Sequence, residues 1–327
     1  MKPVTALAEH LDHRQVSVYL TSVALGVAIG AVAPGAGEAF EAAIYPVLGA
    51  LLYVTFLQVP FDRIKEAFRD RTFLVAALGL NFVVVPPIAF ALSRLAPGGT
   101  AVEVGVLMVL LTPCIDYVIV FARLAGGSEQ RLLVAAPLLM LAQMALLPVF
   151  LFLLVGPELG NIIAPGPFIE AFLVLIALPL ALAWLTELWA TRTDTGRRFK
   201  TAADLSPVAL MALTLSVVVA SQWPRVEHSL GDVIGVIPLY VAFLIVMAAI
   251  GTILATRLGF DSGAGRALVF SGATRNSLVV LPLALALGDE YALAAAVIVT
   301  QTIVEVIGMV VYVRAIPRLL PERPSVL

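Results

Sequence analysis

Apolar residues run through this chain in long blocks, separated by short clusters of charged residues, glycine and proline. A helix that crosses a bilayer needs roughly 20 predominantly apolar residues. Ten segments meet that demand: 15–33, 44–61, 72–95, 102–122, 131–155, 168–189, 207–223, 231–255, 267–288 and 291–313. The connections are too short to hide a soluble domain. The pattern therefore predicts an all-α polytopic membrane protein in which residues 1–327 form a single transmembrane domain.

Composition agrees. The chain is 61% hydrophobic and 13% charged, whereas a soluble domain is about half apolar and about a quarter charged. The net charge of −2 matters less than where the charges lie. With the N-terminus inside, 17 of the 20 Lys and Arg residues fall in inside segments. Only Arg94 and Arg225 fall in outside loops, and Arg275 falls inside an apolar block. An error in the helix count would invert the sign of every later loop, so this split predicts ten spans in the cell membrane with both termini cytoplasmic. Ala31-Val32-Ala33 resembles a signal-peptidase site. The long apolar run from Val16 and the charge pattern favour a retained first helix instead.

Local features fit membrane helices. Gly26 and Gly30 form a GxxxG spacing that permits close helix contact. Pro86-Pro87 is expected to kink the third span, and Ser206-Pro207 reads as the opening of the seventh. Trp184 and Trp189 flank the inner end of the sixth, as belt aromatics do.

Ten spans divide into five plus five, and an odd number per half inverts one half relative to the other. The expected repeats are about 15–155 and 168–313. Ser93-Arg94-Leu95 precedes the fourth span and Thr256-Arg257-Leu258 the ninth. Those two spans also carry the polar clusters, TPCIDY at 112–117 and SGATRNS at 271–277, while the fifth and tenth each carry a mid-span glutamine, Gln143 and Gln301. Matched interruptions in inverted halves point to a transporter binding site.

Charge inside a bilayer is costly and is therefore paired or faces water. Pro113 removes a backbone donor and frees carbonyls of the preceding turn, which must face protein or a cavity. Cys114 and Asp116 flank that break. In the ninth span Gly272 is expected to loosen the helix before Arg275, Asn276 and Ser277. If the two broken helices cross, Asp116 and Arg275 meet near the midplane as an ion pair, either functional or as a static packing bridge. Cys114 is a soft ligand suited to a transient metalloid contact, or a small packing residue. Gln301 and Glu305 share one face of the tenth span. Glu305 is either a proton carrier or a neutral hydrogen-bonded acid. Gln143 and Asn81 read as interhelical glue.

Other chemistries find little support. One cysteine excludes a disulfide framework and a multi-cysteine zinc site, and no cofactor is expected. No HExxH is present, no histidine lies in a span, and Asp116 with Glu305 is only a loose acid pair, so an enzyme is not expected. A basic domain for nucleic acid is missing.

These residues resemble the bile/arsenite/riboflavin transporter superfamily, and within it the arsenite efflux permeases. Thr112-Pro113-Cys114 followed by the apolar run 117–121 is similar to the permease motif in which the cysteine is associated with arsenite or antimonite. The resemblance implies a secondary transporter, an antiporter where protons couple, with substrate at the crossing of the fourth and ninth spans. Substrate-binding residues are then Cys114, Asp116, Arg275, Asn276 and Ser277. Coupling or gating falls to Asp116, Glu305, Gln301, Pro113 and Gly272. The permeases usually carry paired asparagines followed by an acid in the ninth span; here Arg275-Asn276-Ser277-Leu278 keeps one asparagine. The sister bile-acid:sodium symporters carry an acid and then Gln-Asn-Ser there, the acid and glutamine serving bound sodium. Asn276-Ser277 matches that motif, but Arg275 stands in place of the glutamine and Ser271 in place of the acid. A guanidinium cannot ligate sodium, so sodium coupling is expected to be absent. The partners implied are the lipid bilayer, possible protons, and a small inorganic metalloid or, alternatively, a small organic anion held by Arg275.

Overall fold

The computed structural model describes residues 15–33, 35, 37–58, 69–115, 117–155, 173–203, 205–226, 230–288 and 291–322. Among these there is no β-strand, and fourteen helices account for nearly all of them. They are α1 (Gln15–Val32), α2 (Gly37–Leu57), α3 (Arg71–Ser93), α4 (Thr100–Leu110), α5 (Tyr117–Leu124), α6 (Glu129–Val155), α7 (Leu178–Arg192), α8 (Asp194–Ala203), α9 (Pro207–Val226), α10 (Leu230–Gly235), α11 (Ile237–Arg257), α12 (Ser262–Ala273), α13 (Ser277–Leu285) and α14 (Ala292–Leu319).

Each of the ten apolar segments overlaps a helix or a pair of helices separated by a break. Fewer qualify as continuous spans. Four helical stretches, Arg71–Ser93, Glu129–Leu154, Leu230–Arg257 and Ala292–Leu319, are long and apolar enough to cross a membrane. A fifth is counted if Asp194–Ala203 and Pro207–Ser221, bent by 47°, form one span. Two of the segments that do not qualify have a physical cause: α4 ends at Leu110 and α12 at Ala273, so the fourth and ninth segments are each split mid-span.

The proline pair in α3 does not break it. Residues Leu80–Val84 form a π-helical turn just before Val85-Pro86-Pro87. Widening the turn absorbs the missing amides, a usual site for such a bulge. At the start of α9, the Ser206 hydroxyl turns back to donate to the Ala203 carbonyl (2.7 Å), while the Leu210 amide donates to the Ser206 carbonyl (2.9 Å).

Two groups of helices pack together. α9 lies against both α1 and α2, and α2 also lies against α7. Gly26 and Gly30 make the α1–α9 approach possible: a Cβ on Gly26 would lie 2.8 Å from the Ser216 carbonyl oxygen, and one on Gly30 2.8 Å from that of Ala220. The second group gathers on α14, which touches α4, α11, α12 and α13. Gly105 of α4 sets that distance, since a Cβ there would lie 2.9 Å from both the Cα and the carbonyl oxygen of Ala294.

One end of this second group is tied by arginines. Asp70 caps α3 by accepting from the Phe73 amide (3.1 Å), and Asp261 caps α12 by accepting from the Ala264 amide (2.7 Å). Arg131, in the first turn of α6, donates to both, at 2.7 Å to Asp70 and 2.9 Å to Asp261. Burial disfavours the Asp261 carboxylate, but the Ala264 amide and the Arg131 guanidinium outweigh it and hold its pKa below the usual carboxylate value. Arg266 donates to the carbonyls of Ala125 (3.0 Å) and Leu320 (3.0 Å), joining the loop after α5 to the end of α14.

Candidate functional site

The polar clusters of the fourth and ninth segments meet. Pro113 and Arg275 form an antiparallel bridge. The Cys114 amide donates to the Thr274 carbonyl (3.1 Å), and the Asn276 amide donates to the Thr112 carbonyl (2.7 Å). Backbone that has left the helix in an apolar interior must find such partners. Thr112 and Thr274 end their half-helices alike, each hydroxyl donating to the carbonyl four residues back (Met108 and Phe270, both 2.8 Å). Asn276 then opens α13 by accepting from the Val279 amide (3.3 Å).

Arg275 fills the centre of this crossing. Its side chain is fully buried. The guanidinium donates to the Asn81 side-chain oxygen (2.7 Å) and to the backbone carbonyls of Leu110 (3.1 Å), Ser271 (3.0 Å) and Gly272 (2.6 Å). Its carbon lies 5.4 Å from the centre of the Phe243 ring, within cation–π range. The carbonyls belong to the C-terminal ends of α4 and α12, where helix dipoles leave partial negative charge. A planar five-donor fork suits several such oxygens at once.

Glu305 lies beside it. Residue 305 is 1% exposed. Its carboxylate accepts from the Arg275 backbone amide (2.8 Å) and from the Gln301 side-chain amide, one turn away on α14. Ser277 and Thr302 share a hydrogen bond of 2.7 Å. Cys114, Asn276, Ser277, Gln301 and Glu305 are all buried around the crossing. Gly272 lies inside α12, one residue before its end, with a carbonyl committed to Arg275. Asp116, and with it the expected pair to Arg275, lies outside the described residues.

The crossing also uses Asn81, which the sequence marks as interhelical glue, and residues that the sequence does not mark. Asn81 joins α3 to the ninth segment, donating to Ser271 (3.1 Å) and accepting from Arg275. The helix-ending Thr112 and Thr274 lie in the two polar clusters that the sequence marks, beside the bridged pair Pro113 and Arg275. Phe243 and Thr302 gave none, being ordinary residues of apolar spans. Gln143 behaves differently from the glue expected of it: it is 1% exposed, yet neither end of its amide has a hydrogen-bond partner.

Residues 45–228 match the sodium bile acid symporter family. The chain belongs to the sodium bile acid symporter family. That match covers more than half of the chain and includes Thr112-Pro113-Cys114. It ends before α10, so Arg275, Asn276 and Glu305 lie beyond it. No individual curated protein matches the chain. Together with the apolar helices, membership makes this a multi-pass membrane protein of the secondary-transporter type, not an enzyme.

Proposed function

We propose that the chain is a secondary transporter that exports arsenite or antimonite across the cell membrane, with substrate held at the crossing around Cys114. The observation that carries this reading is the place of the cysteine: it is buried at a helix break whose backbone is pinned to a second break. A thiolate there supplies one soft, exchangeable bond to a trivalent metalloid, and Asn276 and Ser277 contact its hydroxyl groups. One thiolate binds loosely enough for release, which a carrier requires.

The same reading includes the inverted repeats at about 15–155 and 168–313 and both termini in the cytoplasm. It also makes transport independent of sodium. Sodium needs a set of oxygens open to it. The four oxygens contributed by Asn81, Leu110, Ser271 and Gly272 already accept from Arg275, which does not release its charge. These residues do not fit a sodium ion. Coupling passes instead to protons on Asp116 or Glu305, whose protonation state biases alternating access, with Pro113, Gly272 and Gln301 setting the gate.

A second reading is a small organic anion bound by Arg275. Against it stands the commitment of the guanidinium to four neutral oxygens. Uptake of arsenite into everted vesicles, with and without a proton gradient, separates the two. The parent is expected to take up arsenite and Cys114→Ser to lose it. Uptake of organic anions by both proteins, with none of arsenite by the parent, refutes the metalloid reading.

A further inference from the structure

Gln143 poses a problem that the arrangement around Arg275 does not solve. It sits on the buried stripe of α6, in line with Leu132, Ala136, Met140, Leu147 and Leu151. Both its amide oxygen and its amide nitrogen are buried without a hydrogen-bond partner. Among the described side chains it alone is unpartnered at both ends. Burying an amide that way is costly, and in an apolar span there is no bulk water to relieve it. An apolar residue of similar size would pack without that cost.

The level of Gln143 in the bundle indicates what it serves. The Ser128 amide donates to the Gly263 carbonyl (2.9 Å), so α6 and α12 start side by side. Gln143 lies 14 residues beyond Glu129, about 21 Å along α6, and Ala273, two residues before Arg275, lies 11 residues beyond Ser262, about 17 Å along α12. Counted from that shared start, Gln143 therefore lies about as far along α6 as the end of α12 that opens into the crossing. α6 also packs against α4, α5 and α12, the helices that flank the two breaks. Two further amide atoms at that level are buried and unpartnered, the Asn276 nitrogen and the Gln301 oxygen. The Ser277–Thr302 hydrogen bond holds their two segments together.

We infer that Gln143 is a substrate-orienting residue of the crossing, and that with Asn276 and Gln301 it selects an uncharged, hydroxyl-bearing solute. The inference rests on the crossing being the transport site. Donors and acceptors are both waiting there: the Gln143 and Asn276 nitrogens donate, and the Gln143 and Gln301 oxygens accept. A hydroxyl group does both and satisfies them in pairs. A carboxylate only accepts, so it leaves the two amide oxygens unmet and facing negative charge. The trihydroxide form of arsenite fits this set, but so does any small uncharged polyhydroxyl compound.

The test uses the full chain in nanodiscs, as parent and Gln143→Met. Thermal unfolding is followed against four probes: arsenite at neutral pH and boric acid as uncharged hydroxyl compounds, benzoate and taurocholate as anions. Without a probe, Gln143→Met is expected to unfold no lower than the parent, because no protein hydrogen bond is lost. At least one uncharged probe should stabilise the parent, and half-stabilisation of the variant should need about tenfold more of it, the loss of roughly one hydrogen bond. A variant that unfolds several degrees lower makes Gln143 structural and overturns the inference. So does stabilisation by anions alone, equal probe dependence in the two proteins, or no stabilisation by any probe. A boric acid effect that depends on Gln143, with arsenite inert, removes the metalloid reading and keeps this one. Arsenite transport with parental affinity in Gln143→Met does the reverse.

Discussion

Arginines hold helix ends together at two levels of this molecule, under opposite conditions. At the rim, Arg131 joins the caps of α3 and α12 through side chains that remain about a third to two-thirds exposed. At the crossing, Arg275 joins the ends of α4 and α12 with no exposure at all. Both act on the same kind of target, the unsatisfied groups of a helix terminus. Water shares the work at the rim, so that arrangement is adjustable and weak. In the interior nothing else can satisfy the groups, so the charge and its oxygens depend on each other. The buried arginine is therefore part of the architecture of the break.

The contrast is broken most severely at Arg275. Arg275→Met leaves three carbonyls and the Asn81 oxygen without a donor, and a loss of about 3–5 kcal/mol is expected. Thermal unfolding in nanodiscs should show it as a large drop, and Arg275→Lys should not restore it, because a point charge cannot reach a fan of four oxygens. A lysine variant as stable as the parent would mean that charge alone is required.

A smaller effect is expected where the crossing meets α3. A Cβ on Gly272 would lie 2.5 Å from a Leu80 methyl and 3.0 Å from the Met247 methyl. These are ends of flexible side chains, so Gly272→Ala should cost about 1–3 kcal/mol by overpacking, not by strain of the backbone. Adding Leu80→Ala should recover part of the loss, which the double-mutant cycle measures.

The rim should give the least. Arg131→Ala is expected to cost no more than about 1 kcal/mol and to lose its effect in high salt. Its pH dependence has a fixed sign. Asp261 has a lowered pKa in the folded protein, so its contribution is complete above the unfolded carboxylate value of about 3.9 and disappears as pH falls through the folded one. Melting curves of the parent and Asp261→Asn should differ at neutral pH and converge toward pH 3. A gap that widens on acidification would contradict the assignment.

Much of this was legible before any coordinates. The apolar blocks located the helices because burial in lipid permits little else, and Pro113 marked a true break because α4 stops three residues before it. At Pro86-Pro87 the outcome differs: a π-helical turn takes up the lost hydrogen bonds and α3 continues. Arg275 and Glu305 stood out as charges in apolar spans. So did Gln301 as a neighbour of Glu305, but the carbonyls that hold Arg275 did not, since a backbone carbonyl such as that of Leu110 has no signature in a side-chain alphabet. Gln143 was visible, but only its surroundings show that it bonds to nothing.

In the proposed function a guanidinium takes the place of a bound cation at the half-helix ends. The most direct test of this is the unfolding temperature of the protein in nanodiscs, titrated with sodium chloride against choline chloride at constant ionic strength. Specific binding to the folded state would raise that temperature in a saturable way. The same temperature is expected in both salts at every concentration. A saturable stabilisation by sodium alone would contradict it.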